Sequence, residues 1–168
     1  IILMQREETI PTPPSNIPEI DKINFITHFK NRKLIEDRTF GELTPEKVFA
    51  KQKIIFVDQN TLNSRNVYEV VKDFNPKIAI IFGTNLIKEP LLSILPKNKI
   101  NLHLGLSPWF KGSATLFWPF YFLEPQFAGI TLHNISLIPD SGEIFHQTVP
   151  DLEIGDSIHD VAAKAVVK

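Results

Sequence analysis

Asn101 and His103 stand two residues apart in INLHLG, residues 100–105, a run that is otherwise apolar. Side chains alternate across an extended strand, so the two polar groups would share one face. A carboxamide donates hydrogen bonds to a developing oxyanion, and an imidazole takes or gives a proton near neutral pH. A second apolar run, GITLHN, closes on His133 and Asn134, and Asp140 follows a short loop later. A carboxylate in that position can orient an imidazole or relay its proton. Amide, imidazole and carboxylate together suit acyl transfer without a covalent intermediate. On spacing alone, a hydrogen-bonded structural amide and histidine stand as the rival reading. A two-histidine, one-carboxylate metal site on His103, His133 and Asp140 is a third. The chain has five histidines with no i, i+4 pair and has no cysteine, so no metal is expected.

Strands alternating with helices are needed to bring such residues together. KIIFVD (53–58) and KIAIIFG (77–83) read as short buried strands, KINLHLG (99–105) as a third. Helical spacing appears over 24–37 and 63–74, a shorter helix fits 90–95, and Thr44-Pro45 looks like a helix start. SATLFWPFYFL (113–123) is too apolar for a surface and reads as a buried helix interrupted near Pro119. AGITLHNIS and GEIFHQTVP alternate as paired strands, and Asp156-Ser157 caps a last helix. PTPPSNIPEI (11–20) reads as a connector. The pattern predicts an α/β fold with a mostly parallel sheet and flanking helices, in which ligands gather beyond the carboxyl ends of strands. Those ends carry Phe82 to Asn85, Asn101 to His103, and His133-Asn134.

The 168 residues suffice for one domain with a sizeable core, and 18 basic against 19 acidic residues give a net charge of −1. That balance provides no long-range attraction for nucleic acid or anionic membrane. No apolar run is long enough to span a bilayer, and the absence of cysteine fits a reducing compartment, so a cytoplasmic protein is expected. The chain begins IILM without a preceding Met and stops inside a helical pattern, which reads as truncation at both ends.

INLHLGLSPWFKG followed by GITLHNISLIPDSGEIFHQ resembles the folate-dependent formyltransferase family. That family includes glycinamide ribonucleotide transformylase, methionyl-tRNA formyltransferase and the nucleotide-sugar N-formyltransferases. Asn101 and His103 match its Asn-x-His, and Pro108 and Gly112 match its turn. His133, Asp140 and Gly142 match its next strand and Asp-x-Gly loop, and Gln147 and IGDSIHDVAAKA resemble the strand, cap and helix beyond. IAIIFGTNLI is similar to the strand and loop lining the folate pocket. The resemblance runs from about Lys77 to the end. It departs from the pattern at Gly105, where the family usually has serine.

The resemblance implies a Rossmann-like sheet and a single catalytic domain over residues 1–168, lacking an N-terminal strand–helix unit and a C-terminal continuation. It implies 10-formyltetrahydrofolate as donor, a primary amine as acceptor, and Asn101, His103 and Asp140 as catalytic residues. Phe82, Gly83, Thr84, Leu86, Ile87, His133, Ile138 and Pro139 would form the folate site. The aromatic residues Trp109, Phe110 and FWPFYF exceed what tRNA- or ribonucleotide-directed members lead one to expect. A nucleotide-linked amino sugar is therefore the first expectation for the small-molecule partner. Methionyl-tRNA formylation, hydrolysis of formyltetrahydrofolate and a non-catalytic folate-binding domain are the alternatives; oligomeric state stays open.

Overall fold

Pro11, Pro13, Pro14 and Pro18 hold the N-terminal connector out of regular structure until a helix can begin at Glu19. The structure, a computed structural model, describes residues 1–5, 10–41 and 44–168. They form two units, Ile1–Phe56 and Val57–Lys168.

In the first unit, strand β1 (Ile2–Met4) precedes helix α1 (Glu19–Phe40) and one turn of helix α2 (Pro45–Val48); strand β2 (Ile55–Val57), which pairs with β1, begins in this unit and ends on the first residue of the next. Helix α1 starts five residues earlier than its apolar spacing suggests. Pro18 provides the extended residue before it, and i, i+4 pairs Arg32–Glu36 (2.8 Å) and Lys33–Asp37 (2.6 Å) support its polar side. It ends at Gly41, whose φ of 74° lets its N–H reach the Asp37 carbonyl. The Thr44 hydroxyl accepts from the Lys47 N–H, as its position before Pro45 predicts.

In the second unit, helix α3 (Arg65–Phe74) is capped by Ser64 and buries Val67 and Val71, one turn apart. Strand β3 (Ile78–Phe82), helix α4 (Leu91–Ile94) and strand β4 (Asn98–His103) follow. The chain then passes through helix α5 (Trp118–Tyr121) and a 3₁₀ turn (Pro125–Phe127) into strands β5 (Ile130–Asn134) and β6 (Ile144–Thr148). Helix α6 (Ile158–Val167) closes the chain, with a capping box between Ser157 and Asp160. Strand order is β3-β4-β5-β6. The fold is the expected α/β class; β3 pairs with β4 in parallel, and β4–β5 and β5–β6 pair antiparallel. The β5–β6 pairing follows from its connection: only nine residues, 135–143, join the two strands, too few for a parallel crossover.

Two expectations change. Strand β3 is not buried on both faces, because Ile78, Ile80 and Phe82 form an exposed stripe along an edge strand. The segment 113–123 is not a buried helix either. Helix α5 is a single turn: Pro119, in its first turn, bars extension toward Ser113, and Leu123, just past its end, has φ of 60°; Leu116 and Pro119 are buried while Phe117, Trp118, Tyr121 and Phe122 remain exposed. The inward side joins Ala128 and Val161, so the same small core that anchors α6 also anchors the segment leaving β4.

Candidate active site

The cluster begins with strand register. In the antiparallel β4–β5 pair, Asn101 stands opposite His133 and His103 opposite Thr131. Directly opposed residues share a face, and so do residues two apart on one strand. Asn101, His103, Thr131 and His133 therefore form a polar square on one face. Strand β6 extends its upper row, because Thr131 stands opposite Gln147. His103, Thr131 and His133 are buried at 7%, 0% and 2% exposure, which makes hydrogen-bond satisfaction obligatory.

Each imidazole is oriented by a backbone carbonyl. His103 Nε2–H donates to the Phe110 carbonyl at 2.8 Å, and His133 Nδ1–H donates to the Asn134 carbonyl at 2.8 Å. His133 Nε2 can then accept from Asn101 Nδ2 at 3.3 Å, which uses one of the two amide hydrogens. Asp140 arrives from the loop between β5 and β6. Its Oδ1 lies 3.5 Å from His103 Nδ1 and 3.4 Å from His133 Nε2, so one carboxylate oxygen faces both rings.

Backbone conformation and two hydrogen bonds hold Asp140 in place. Asp140 has φ of 49°, a left-handed conformation that aspartate tolerates. The Gly112 N–H donates to its Oδ2 at 2.9 Å, and Ser107 Oγ–H donates to its carbonyl at 3.2 Å. Gly142 lies against the start of this loop, where any Cβ would collide with the Asn134 carbonyl oxygen. The Asp-x-Gly spacing thus has a steric reason: the loop must fold back on β5 to deliver Asp140.

Gly105 has a steric reason as well. A Cβ there would meet the Phe110 carbonyl oxygen at impossibly close range, with His103 Nε2 and Thr115 Cβ each at 2.7 Å. The turn after β4 is so tight because the Phe110 carbonyl must return to His103. Serine, the residue that the family resemblance places here, does not fit this backbone.

The structure brings Asn101, His103, His133 and Asp140 together. His133 is both a strand histidine bonded to backbone and a member of the cluster. The Asp140 carboxylate occupies the space between the two rings, and among the described residues no three side chains are arranged to hold a metal ion. Phe82 pairs with Leu102, so the 83–87 loop leaves β3 beside His103. Gly83 turns the chain there with φ of 62°. Asn63 pins this loop by donating to the Leu86 carbonyl (3.0 Å) and accepting from the Lys88 N–H (2.7 Å). Phe82, Leu86 and Ile138 are exposed, Thr84 and Ile87 half-buried; Pro139, exposed, accepts from Ser141 Oγ through its carbonyl.

Sequence reasoning passed over Ser107, Thr131 and Gln147 as parts of the site. The signal was present for Thr131, since the period-two rule that joins Asn101 to His103 also joins Thr131 to His133. For Gln147 only cross-strand register identifies it.

The formyl transferase family model matches residues 23–167. A methionyl-tRNA formyltransferase of Borreliella afzelii (strain PKo) is 29% identical over 117 residues, covering 69% of this chain and 37% of that protein. The chain thus spans little more than a third of that relative's length. Among solved structures, a phosphoribosylglycinamide formyltransferase from Anaplasma phagocytophilum superposes with a TM-score of 0.62 at 20% identity, covering 73% of this chain and 58% of that one. A formyltransferase from Anoxybacillus kamchatkensis, solved with UDP-4,6-dideoxy-4-formamido-L-AltNAc and tetrahydrofolate, gives 0.54 at 23% identity, covering 80% of this chain and 64% of that one. At these identities the structural likeness speaks for the fold. No helix among the described residues is long and apolar enough to cross a membrane.

Proposed function

From the premise that this chain belongs to the formyl transferase family, we propose that it moves a formyl group from 10-formyltetrahydrofolate to a primary amine. The observation that carries this reading is the convergence of Asn101, His103 and Asp140 beside one end of the sheet. Leu86 and Ile138, apolar and exposed on the loops that follow β3 and β5, fit a flat pterin, while Phe82, whose side chain shares the face of Leu102 rather than that of Asn101 and His103, would contribute backbone. Gly83, Thr84 and Ile87 would line the same wall, with Pro139 and His133 opposite. Bound there, the folate supplies the formyl group.

The chain's own residues do the rest. The remaining amide hydrogen of Asn101 donates to the oxygen that becomes negative as the amine attacks the formyl carbon. The Phe110 carbonyl holds His103 at Nε2, which leaves Nδ1 to work with Asp140. Asp140 Oδ1, facing two imidazoles, takes the proton that the amine sheds and returns it, with His103, to the departing folate nitrogen. Holding both substrates in one cleft removes much of the entropic barrier.

For the acceptor, a nucleotide-linked amino sugar is the first reading. The Anoxybacillus relative was solved with a formylated sugar nucleotide, and a net charge of −1 offers little to a polyanion such as tRNA. The methionyl-tRNA formyltransferase relatives favour the second reading, formylation of an aminoacyl-tRNA. Incubation with 10-formyltetrahydrofolate and a panel of amino-sugar nucleotides, methionyl-tRNA and small amines, read by mass, tests both. A gain of one formyl group on a sugar nucleotide is expected. The reaction should vanish in Asn101→Ala and His103→Ala while folate binding persists. Undiminished turnover in either variant would sink the mechanism.

A further inference from the structure

We propose that Thr131 and Gln147 are positioning residues for formyl transfer, acting together as a post that fixes His103 from two directions. This rests on the reaction proposed above. The Thr131 hydroxyl is fully buried and uses its whole hydrogen-bonding capacity. It donates to the Gly105 carbonyl at 2.6 Å and accepts from the Ser107 N–H at 3.0 Å and from Gln147 Nε2 at 2.9 Å. Gln147 Nε2 also donates to the Ser107 carbonyl at 2.7 Å. Two side chains on β5 and β6 thereby pin three backbone groups of the turn after β4.

Two arms leave that turn and meet on one ring. In the first, the Phe110 N–H donates to the Leu106 carbonyl at 2.8 Å, which closes the turn and aims the Phe110 carbonyl at His103 Nε2. In the second, Ser107 Oγ holds the Asp140 backbone, whose carboxylate faces His103 Nδ1. Both nitrogens of the imidazole are therefore set by the position of Ser107. None of the three strands gives Gln147 direct access to the ring, since Thr131 stands between them in the same cross-strand row. Its effect on chemistry passes through the turn.

The test compares Thr131→Val, Thr131→Ser and Gln147→Leu in formyl transfer and in the ¹⁵N signals of the His103 ring. Displacing a reacting group by a fraction of an ångström costs about 10–100-fold. Thr131→Val and Gln147→Leu are expected to lower kcat by that factor with KM for both substrates within about twofold. Thr131→Ser keeps the hydroxyl and should retain kcat within about threefold, and the His103 ring signals should move in the first two variants alone. If Thr131→Val fails to fold, Gln147→Leu, at a half-buried position, carries the comparison. Unchanged kcat in Gln147→Leu, or equal losses in Thr131→Ser and Thr131→Val, overturns the assignment. If the unaltered chain transfers no formyl group, the proposed reaction fails. The ring signals then decide the positioning: moved in Gln147→Leu they uphold it, and unmoved they refute it.

Discussion

Replacing Gly105 with serine tests the geometry of the site most directly. The new Cβ would lie 2.7 Å from both His103 Nε2 and Thr115 Cβ, where ordinary contact begins at 3.4 Å, and it would overlap the Phe110 carbonyl oxygen. Relief of those two contacts needs roughly 0.7 Å, and the carbonyl oxygen must move further, a shift on the scale that costs up to about 100-fold in rate when it misplaces a catalytic group. Two of the three neighbours resist it. Phe110 contributes backbone held by the Leu106 carbonyl, and Thr115 is buried with its hydroxyl bonded to the Leu104 carbonyl. Overpacking of this kind destabilises by about 1–3 kcal/mol. The cheapest relief is to break the bond between His103 Nε2 and Phe110, which releases the imidazole. Urea denaturation should therefore show a lowered midpoint at constant slope, and formyl transfer should fall about 10–100-fold with donor binding retained. Gly105→Ala should behave alike, because the Cβ causes the clash. Native stability together with native rate in the serine variant would refute the steric reasoning.

Asp140→Asn should keep the Gly112 contact through the amide oxygen but lose the proton acceptor facing the two histidines, lowering kcat about 10²–10⁴-fold in the transfer assay. Asn63→Ala removes both bonds to the 86–88 backbone and should raise KM for the folate donor more than it lowers kcat, read from initial rates. Ser157→Ala deletes half of the capping box on α6 and should cost about 1 kcal/mol in urea unfolding without altering KM. The backbone N–H of Glu153, with help from Lys164, holds the Asp156 carboxyl below its ordinary value of 3.8. A depressed acid stabilises the fold above its unfolded value and loses that contribution as pH falls through the folded one, so Asp156→Asn should flatten the acid limb of unfolding midpoint against pH.

Much of the local structure was legible along the chain. Thr44 and Ser157 mark helix starts because their hydroxyls accept orphan backbone N–H groups, a strictly local bond. Asn101 and His103 were legible as a pair because alternation along one strand needs no knowledge of its neighbours. The exposure of β3 was not, since an apolar run reads the same whether its strand is central or at an edge. The same holds for 113–123, where composition suggested burial, yet only one turn of helix forms and leaves aromatic rings outside.

By itself, the order of residues determined the helix caps, the strand faces and the kinds of chemistry on hand: an amide, two imidazoles and a carboxylate. Tertiary structure alone decided which of them meet. Asn101 lies opposite His133, and Thr131 between His103 and Gln147, because hydrogen-bond register between strands sets those rows, and register has no signature within a single strand. Gly105 is explained only by the return of the Phe110 carbonyl to His103, five residues further along the chain, into the space that a side chain would fill.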